Sequence, residues 1–481
     1  MKNIIKDLQM IGEKTNTGVF AVGGYIRDKL LNKDSLDLDL VVSKKADIFA
    51  KKTAAALNGK SFILHNETQV YRVAVFNNRA LKYIDISLMQ GKTIKEDLQK
   101  RDFTVNSMAV DIKHFNDIKN NIIDYCGGYK DLKSKRLNIV YGKSFLDDPL
   151  RMLRAFRIAS EYNFKLSAEL IESVKKYSKK INSAAPERVK NEFFRILNNK
   201  NSSQYILQMD DAKLLEAVFP VITSMKKSAK NFYYHPKGLF QHCFQTLESL
   251  EKILSKLDKY FPESKDKLIK HLNENFSDNV NRINLLKFAA IFHDCAKPEC
   301  AKKMDKKIRF LGHEELGAKK TSEIMKSLKM SNKEIDFAKS IIAQHMRPSN
   351  LAKSDIITNK ARFKLFRDLK ENVPDILILA MSDWHSYKSL KVYSKKILKQ
   401  QEKAVAEIIN NYFEFQGKTG RRKLIDGNIL MKELSLKPGK IIGELLNLVN
   451  ASQDEGKIST KKEAILLAKS KLTVLRKKHK I

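Results

Sequence analysis

Asp37 and Asp39 stand two residues apart in Leu36-Asp37-Leu38-Asp39-Leu40-Val41-Val42, a type and spacing suited to catalysis. The segment alternates as a strand does, so both carboxylates project from one face. Two carboxylates side by side repel unless a cation lies between them, and Mg²⁺ takes oxygen ligands of this kind. Just upstream, Gly23 and Gly24 follow the apolar run Val19-Phe20-Ala21-Val22 and precede residues 25–31, which have helical character. Glycine lets the backbone approach an anion closely, and a helix N-terminus points free N–H groups at it. A nucleoside triphosphate carrying Mg²⁺ is the simplest occupant. A lone Asp-x-Asp is usually surface decoration and a lone Gly-Gly usually a turn; their close succession points to chemistry. Neither a P-loop nor a Gly-x-Gly-x-x-Gly fingerprint is present, so the phosphate site is of a different type.

Further polar residues follow. Asp85, in Tyr83-Ile84-Asp85-Ile86-Ser87, lies on another strand-like run and supplies the third carboxylate that a two-metal site commonly needs to lower the pKa of an attacking hydroxyl. Alone it would be an acid at a sheet edge. In Lys100-Arg101-Asp102-Phe103-Thr104-Val105-Asn106, Arg101 and Asp102 can hold a ribose hydroxyl and a phosphate, with Asn106 as a further contact. The bland alternative is a surface ion pair. Gly127-Gly128 reads as a hinge or connector. In Asp147-Asp148-Pro149-Leu150-Arg151, Asp148 and Arg151 are three apart, which a helix places on one face. A carboxylate acceptor beside a guanidinium donor can read the edge of a base. Arg154 and Arg157 repeat the spacing and suit a triphosphate. Standing alone, the pair would be a salt bridge on a basic helix.

The C-terminal half carries a second set: His242, His293-Asp294, His313, His345 and Asp383, among only ten histidines. Imidazoles and carboxylates on facing helices can hold one or two transition metals that activate water against a phosphate ester. A single buried histidine is usually structural.

The elements that must position these groups change along the chain. Candidate strands are residues 20–22, 36–42, 70–76, 82–87 and 107–112, mixed with helices as far as about residue 145. From residue 147 the pattern is helical. Residues 255–282 read as a charged, solvated helix or insertion, and the region after 395 is basic, with Gly420-Arg421-Arg422-Lys423 and Lys437-Pro438-Gly439-Lys440. The length of 481 residues allows two to four domains, and 43% hydrophobic content supports sizeable cores. Lys and Arg number 91 against 55 acids, a net charge of +36 spread along the chain. That excess implies a polyanionic partner such as nucleic acid; lysine enrichment from an AT-rich genome is the alternative. Cys126, Cys243, Cys295 and Cys300 lack metal-finger spacing and suggest reduced thiols. No leader-like segment and no spanning apolar run is present, so a soluble cytoplasmic protein is expected.

Taken in order, Gly23-Gly24…Arg27-Asp28, Asp37-x-Asp39, Arg101-Asp102-Phe103-Thr104-x-Asn106, Asp147-Asp148-x-x-Arg151 and Pro186-Glu187-Arg188-Val189 resemble the class II tRNA nucleotidyltransferase and bacterial poly(A) polymerase family, strongly so from residue 17 to about 200. The resemblance implies an α+β chain: a β-polymerase-like nucleotidyltransferase palm over residues 1–145, then an all-α remainder. A nucleotide- and RNA-binding neck would cover 146–220, an HD domain 221–395, and a basic RNA-binding helical tail 396–481. It implies that Asp37 and Asp39 bind Mg²⁺, with Asp85 as third catalytic acid, and that Gly23, Gly24, Arg27, Arg101, Asp102, Asn106, Arg154 and Arg157 contact nucleotide. Arg101 and Asp102 would select the ribose, and Asp148 and Arg151 would serve as a protein template for CTP and ATP. The family usually has Glu where this chain has Asp147, which puts the support of Arg151 in question. The second set is similar to the HD phosphohydrolase superfamily, implying Mn, Ni, Co or Fe at His242, His293, Asp294, His313, His345 and Asp383. The tail segment Asp426-Gly427-Asn428…Lys437-Pro438-Gly439-Lys440 is similar to the ends of HD-containing members. The implied activity is template-independent addition of CCA to tRNA 3′ ends, without a membrane or an obligate protein partner. Poly(A) synthesis and CC-only or A-only addition share the chemistry and stay open, as does an HD phosphohydrolase whose transferase half is inactive.

Overall fold

Alternating apolar residues build the first half around one sheet. The strands are β1 (Val19–Val22), β2 (Asp37–Val42), β3 (Lys60–His65), β4 (Val70–Ala74), β5 (Tyr83–Leu88), β6 (Met108–Asp111) and β7 (Ile123–Asp124). Their order is β3-β4-β5-β2-β1-β6-β7. Only β2 and β5 pair in parallel; the other neighbours are antiparallel. Leu38, Leu40, Val42, Ile84 and Ile86 are buried on the face opposite Asp37, Asp39 and Asp85, because side chains alternate along each strand. This computed structural model describes residues 2–65, 69–76, 81–228, 237–305, 307–352, 358–387, 394–418, 424–454 and 457–479. The chain divides into two units, Met1–Pro220 and Val221–Ile481.

In the first unit, α1 (Lys2–Lys14), α2 (Gly23–Leu30), α3 (Ala46–Ala56), α4 (Ile94–Gln99) and α5 (Gly128–Lys133) accompany the sheet. They are followed by α6 (Ser144–Asp147), α7 (Arg151–Tyr162), α8 (Ala168–Tyr177) and α9 (Pro186–Leu197). Thr93 caps α4 through the Glu96 amide, and α9 opens on Pro186, where no helical N–H is lost. Helices α7 and α9 pack on Met152, Phe156, Phe193 and Phe194, all fully buried. The expected strand over 70–76 is shorter, and β3 had no counterpart among the candidate strands. A two-residue parallel pair, Arg136–Leu137 with Lys165–Leu166, interrupts the expected all-helical neck.

Gly127-Gly128, read from sequence as a hinge or connector, is a fastened connection. The Asp124 carboxylate accepts from the amides of Cys126, Gly128 and Tyr129 at 3.1, 2.9 and 2.9 Å. Asp131 accepts from the Thr104 hydroxyl at 2.6 Å. Helix α5 thereby grips the 3₁₀ turn Thr104–Asn106.

The second unit is helical around Leu239–Leu254, Arg282–Phe292, His313–Ser327, Asn332–Gln344 and Val373–Ser386. Arg282–Phe292 is buried over nearly its whole circumference, as a core helix must be. Capping boxes at Asn281/Asn284 and Ser331/Glu334 fix two helix starts. The unit is not purely helical: it holds the hairpins Asn275–Ser277/Val280–Asn281 and Lys302–Met304/Lys307–Arg309. Residues 255–282 form short helices and the first hairpin rather than one solvated helix, anchored by buried Phe261, Leu268, Leu272 and Val280. The final helices Gly427–Leu434, Lys440–Asp454 and Lys461–His479 share a core of Leu430, Leu445, Val449, Ala464 and Ala468. Gly420-Arg421-Arg422-Lys423 lies outside the described residues. Among the described residues no helix is long and apolar enough to cross a membrane.

A Cβ at Gly128 would lie 2.1 Å from the Thr104 carbonyl oxygen, a backbone atom that cannot swing aside. Gly128→Ala is therefore expected to cost about 1–3 kcal/mol, read as a lower denaturation midpoint. It should also displace Asn106, which that turn carries. An unchanged midpoint would show that α5 does not fasten that turn.

Candidate functional site

Strand pairing brings the acids together. Asp39 stands opposite Asp85 and Asp37 opposite Tyr83 in the parallel register of β2 and β5. Gly23, at φ +69°, turns the chain from β1 into α2 with no side-chain cap on its N-terminus. A Cβ at Gly23 would sit 3.3 Å from an Asp39 carboxylate oxygen and 3.2 Å from Arg101 Nη1. Glycine thus clears the space where helix start, acid and guanidinium meet. These groups, with Asp102, Asn106 and Arg154, line a cavity of about 240 Å³.

Each cation at the cavity is anchored by its own acid. Arg72 on β4 donates from Nε and Nη2 to the two Asp85 oxygens at 2.7 and 2.6 Å. Arg101 donates to Asp97 at 3.0 and 3.1 Å. Arg154 pairs with Asp102 at 3.1 Å. The other Asp102 oxygen accepts from the Phe103 amide at 2.9 Å and the Asn106 amide nitrogen at 3.1 Å. Although burial works against ionisation, Arg154, Asn106 and Arg151 hold the Asp102 carboxyl below its ordinary range. Asp39 is the opposite case. Desolvation and the facing Asp85 push its carboxyl up to about 6, against Arg101 and Arg154. Desolvation also raises Asp37. A group of acids this poor in compensation fits a divalent cation.

The remaining predicted residues lie around this centre. Arg27 is buried and spent on Asp28, Asn106 (2.7 Å) and Tyr162 (2.6 Å); it positions Asn106 rather than lining the cavity. Asp148 falls outside the helix expected to carry it. Its backbone is extended, and its carboxylate accepts from Arg188 at 3.0 Å, not from Arg151. Pro149 explains the break, since the residue before proline is driven out of the helical region. Arg151 opens α7 and donates to the hydroxyls of Ser144 at 2.8 Å and Tyr141 at 3.0 Å. Arg157 bridges α7 to α9 through Glu161 (2.7 Å) and Glu192 (2.6 Å), away from the cavity.

The second set converges inside the second unit. His242 lies on Leu239–Leu254, and His293-Asp294 follow Arg282–Phe292. His313 opens His313–Ser327, His345 caps Asn332–Gln344, and Asp383 lies on Val373–Ser386. Nδ1 of His293, His313 and His345 lies 3.0, 2.7 and 2.7 Å from the carbonyl oxygen three residues earlier. His242 Nδ1 meets Ser386 at 3.1 Å. Those contacts assign the proton to Nδ1 and turn each Nε2 lone pair inward. Nε2 of His242 and His293 each lie 3.3 Å from Asp294 Oδ2; those of His313 and His345 lie 3.3 and 3.5 Å from Oδ1. Among the described residues three overlapping donor groups result, His242/His293/Asp383, Cys243/His293/Asp294 and Asp294/His313/His345, each within 4.8 Å. Asp294 contacts all four imidazoles.

Comparison with known proteins follows the same division. Residues 19–138 match the family described as the poly A polymerase head domain, 163–226 a probable RNA- and SrmB-binding site of polymerase A, and 309–468 a putative tRNA nucleotidyltransferase domain 2. The chain belongs to the poly(A) polymerase and tRNA nucleotidyltransferase family. A CC-adding tRNA nucleotidyltransferase of Synechocystis is 26% identical, covering 93% of this chain and 92% of that protein. An A-adding tRNA nucleotidyltransferase of Deinococcus radiodurans is 25% identical over 93% and 94%. The fold is also that of a CCA-adding enzyme solved with CTP, at TM-score 0.65 and 21% identity over 98% of this chain and 95% of the other. Membership in this nucleotidyltransferase family implies a divalent cation, and the Asp37/Asp39/Asp85 face is the donor set of the hard, oxygen-rich kind that suits one.

Several residues of this nucleotidyltransferase escaped sequence reasoning. Arg72 sits in an alternating strand, and only the β4–β5 register sets it opposite Asp85. Lys297, 2.5 Å from Asp294, carried a faint signal three residues after the His-Asp pair. Tyr141 and Ser144 carried none.

The raised Asp39 carboxyl has a stability consequence. The folded, metal-free chain holds that proton more tightly than the unfolded chain does. This stabilisation is complete below about pH 4 and is lost as pH rises through about 6. In EDTA at about pH 7.5, Asp39→Asn is therefore expected to melt about 2–4 °C above wild type. The gap should close toward about pH 4, and Mg²⁺ should raise the wild-type midpoint more than the variant's. Equal midpoints across that range would remove Asp39 from the strained acid cluster.

Proposed function

We propose that this protein adds nucleotides from CTP and ATP to the 3′ end of tRNA without a nucleic-acid template, completing CCA, in the cytoplasm. The observation that carries this is the joint lining of one cavity by Asp39, Asp85, the Gly23-Gly24 helix start, Arg101 and Arg154. The relatives named for CC and A addition support tRNA as the acceptor.

Asp37 and Asp39 would hold Mg²⁺, with Asp85 as the third acid. Held there, the ion would lower the pKa of the attacking hydroxyl and offset charge on the departing oxygens. The chain's own groups position the reactants. The open N–H groups of α2, with Arg101 and Arg154, face the triphosphate. Asp102, fixed by Asn106 and Arg154, meets the ribose. The tRNA 3′-oxygen attacks the α-phosphorus; that P–O bond forms as the bond to pyrophosphate breaks. Asp148 and Arg151 would read the base, Asp148 from its contact with Arg188. Against poly(A) synthesis stands Val70-Tyr71-Arg72-Val73-Ala74-Val75, where an Arg-Arg-Phe-Arg-type basic run would be expected. The deciding experiment supplies CTP and ATP, singly and together, to tRNA ending at the discriminator base, and sequences the products. CC-only, A-only or poly(A) ends would each replace the assignment of full CCA synthesis.

A second activity is favoured by the tethered Nδ1 atoms around Asp294. Four oriented imidazoles and two carboxylates fit Mn, Ni, Co or Fe, and the site would hydrolyse phosphate esters at RNA ends or 2′,3′-cyclic phosphates. Asp37→Ala or Asp39→Ala is expected to abolish nucleotide addition while sparing hydrolysis. His293→Ala or Asp294→Ala is expected to do the reverse. Assays of cyclic nucleotide and aryl phosphate with each metal separately read this out. Near-normal CTP incorporation by Asp39→Ala, or a wild type that neither hydrolyses nor binds a transition metal, would overturn the respective assignment.

A further inference from the structure

We propose that Tyr141 is the positioning residue of Arg151, carrying to it the charge of Asp147. Resting on Arg151 as the base-reading guanidinium, this assigns nucleotide selection partly to a phenol that contacts no substrate.

The geometry is a chain of three side chains. Asp147 ends α6 and is exposed. Among the described residues it forms no ion pair with Arg151; the Tyr141 hydroxyl stands between them. That hydroxyl donates to the Asp147 carboxylate and accepts from Arg151 Nη1 at 3.0 Å. A phenol can do both at once, and donation to a carboxylate makes its oxygen a stronger acceptor. Burial, and then Asp147, raise the phenol's pKa, so it remains a donor throughout the working range. Ser144 Oγ takes Nη1 at 2.8 Å, and the Lys100 carbonyl takes Nη2 at 3.4 Å.

The relay has a functional advantage over a direct pair. A carboxylate placed on a guanidinium tends to occupy two of its N–H groups as a fork. Here the anion acts through one hydroxyl on Nη1. Among the described residues Arg151 Nε makes no hydrogen bond and Nη2 has only the long contact to the Lys100 carbonyl, which leaves the Nε/Nη2 edge able to donate to a bidentate partner. The fixed side of the guanidinium is tied to α6 and the turn before it, and the other side is available to a base.

The test measures kcat/KM for CTP against UTP and for ATP against GTP, with tRNA lacking its 3′ end, in four variants. Tyr141→Phe retains the ring and should keep the wild-type melting midpoint, yet lose about tenfold in selection, approaching what one base-reading contact supplies. Asp147→Glu adds a methylene, about 1.5 Å of reach, enough for the carboxylate to approach Arg151 itself. The double variant Tyr141→Phe/Asp147→Glu is therefore expected to recover most of the lost selection, which a space-filling role for the ring would not allow. Arg151→Ala separates the two levels. If it keeps wild-type selection, Arg151 does not read the base. If it loses selection while Tyr141→Phe does not, the relay alone is wrong. A double variant no better than Tyr141→Phe also overturns the relay.

Discussion

Mutual repulsion among Asp37, Asp39 and Asp85 is the constraint around which the first unit is arranged. Parallel pairing of β2 with β5 puts Asp39 and Asp85 in the same register, on the face their alternating neighbours do not bury. Such a sheet folds only if cations approach that face and are themselves held. Arg72 comes from the next strand, Arg101 from the turn after α4, and Arg154 from α7. Arg101 and Arg154 are each moored to a further acid, Asp97 or Asp102. The cavity wall is therefore an alternating lattice of charge in which Asp39 is least compensated, and its raised carboxyl marks where a divalent cation fits best. Arg27, spent on Asp28, Tyr162 and Asn106, acts one step back by holding Asn106 against Asp102.

The cluster around Asp294 handles charge differently. Its donors are mostly imidazoles, each steered by a backbone carbonyl or hydroxyl on Nδ1. Little like-charge repulsion has to be balanced, and the site can sit in a nearly dry helical core. Burial disfavours the Asp294 carboxylate, yet His293, Lys297 and His242 keep its carboxyl far below the ordinary range. An oxygen-rich face open to a cavity suits a hard, exchangeable ion; a buried imidazole-rich shell suits a retained transition metal. The two clusters thus differ both in donor chemistry and in solvation.

The parts of this architecture legible in the sequence were those governed by short-range rules. Alternation placed β1, β2, β5 and β6, and the glycine pair placed the start of α2. Asp37 and Asp39 could be put on one face because a strand's period is two. What failed depended on chain turns and partners. Asp148 and Arg151 at spacing three suggested one helical face, but Pro149 stops the helix before them and Asp148 turns to Arg188. Arg157 shared the spacing of Arg151 and Arg154, yet acids on α7 and α9 captured it. Arg72 could not be placed before the β4–β5 register was known. The histidines were recognisable by order alone, since five separate helices must converge before any distance exists. Gly128 looked like a hinge because close approach to Thr104 leaves no trace in composition.

Arginine and lysine divide the chain's positive charge by chemistry. In the first unit the cations spent on cavity acids and helix junctions are arginines, Arg27, Arg72, Arg101, Arg154 and Arg157, whereas the second unit also buries Lys287 on Glu251 and Lys297 on Asp294. The planar forks of the arginines can satisfy two oxygens at once and tolerate partial burial. Lysines dominate exposed stretches such as Lys302-Lys303 and Lys437–Lys440, where a compact, hydrated charge loses little by staying in water. The inward arginines are neutralised within the fold, so they add little to the field felt by a distant polyanion. Much of the net +36 is consequently displayed outside the cavities. A long phosphate backbone can be gathered by that field without sequence preference, whereas the arginines held rigidly at the cavity act only on groups that enter it.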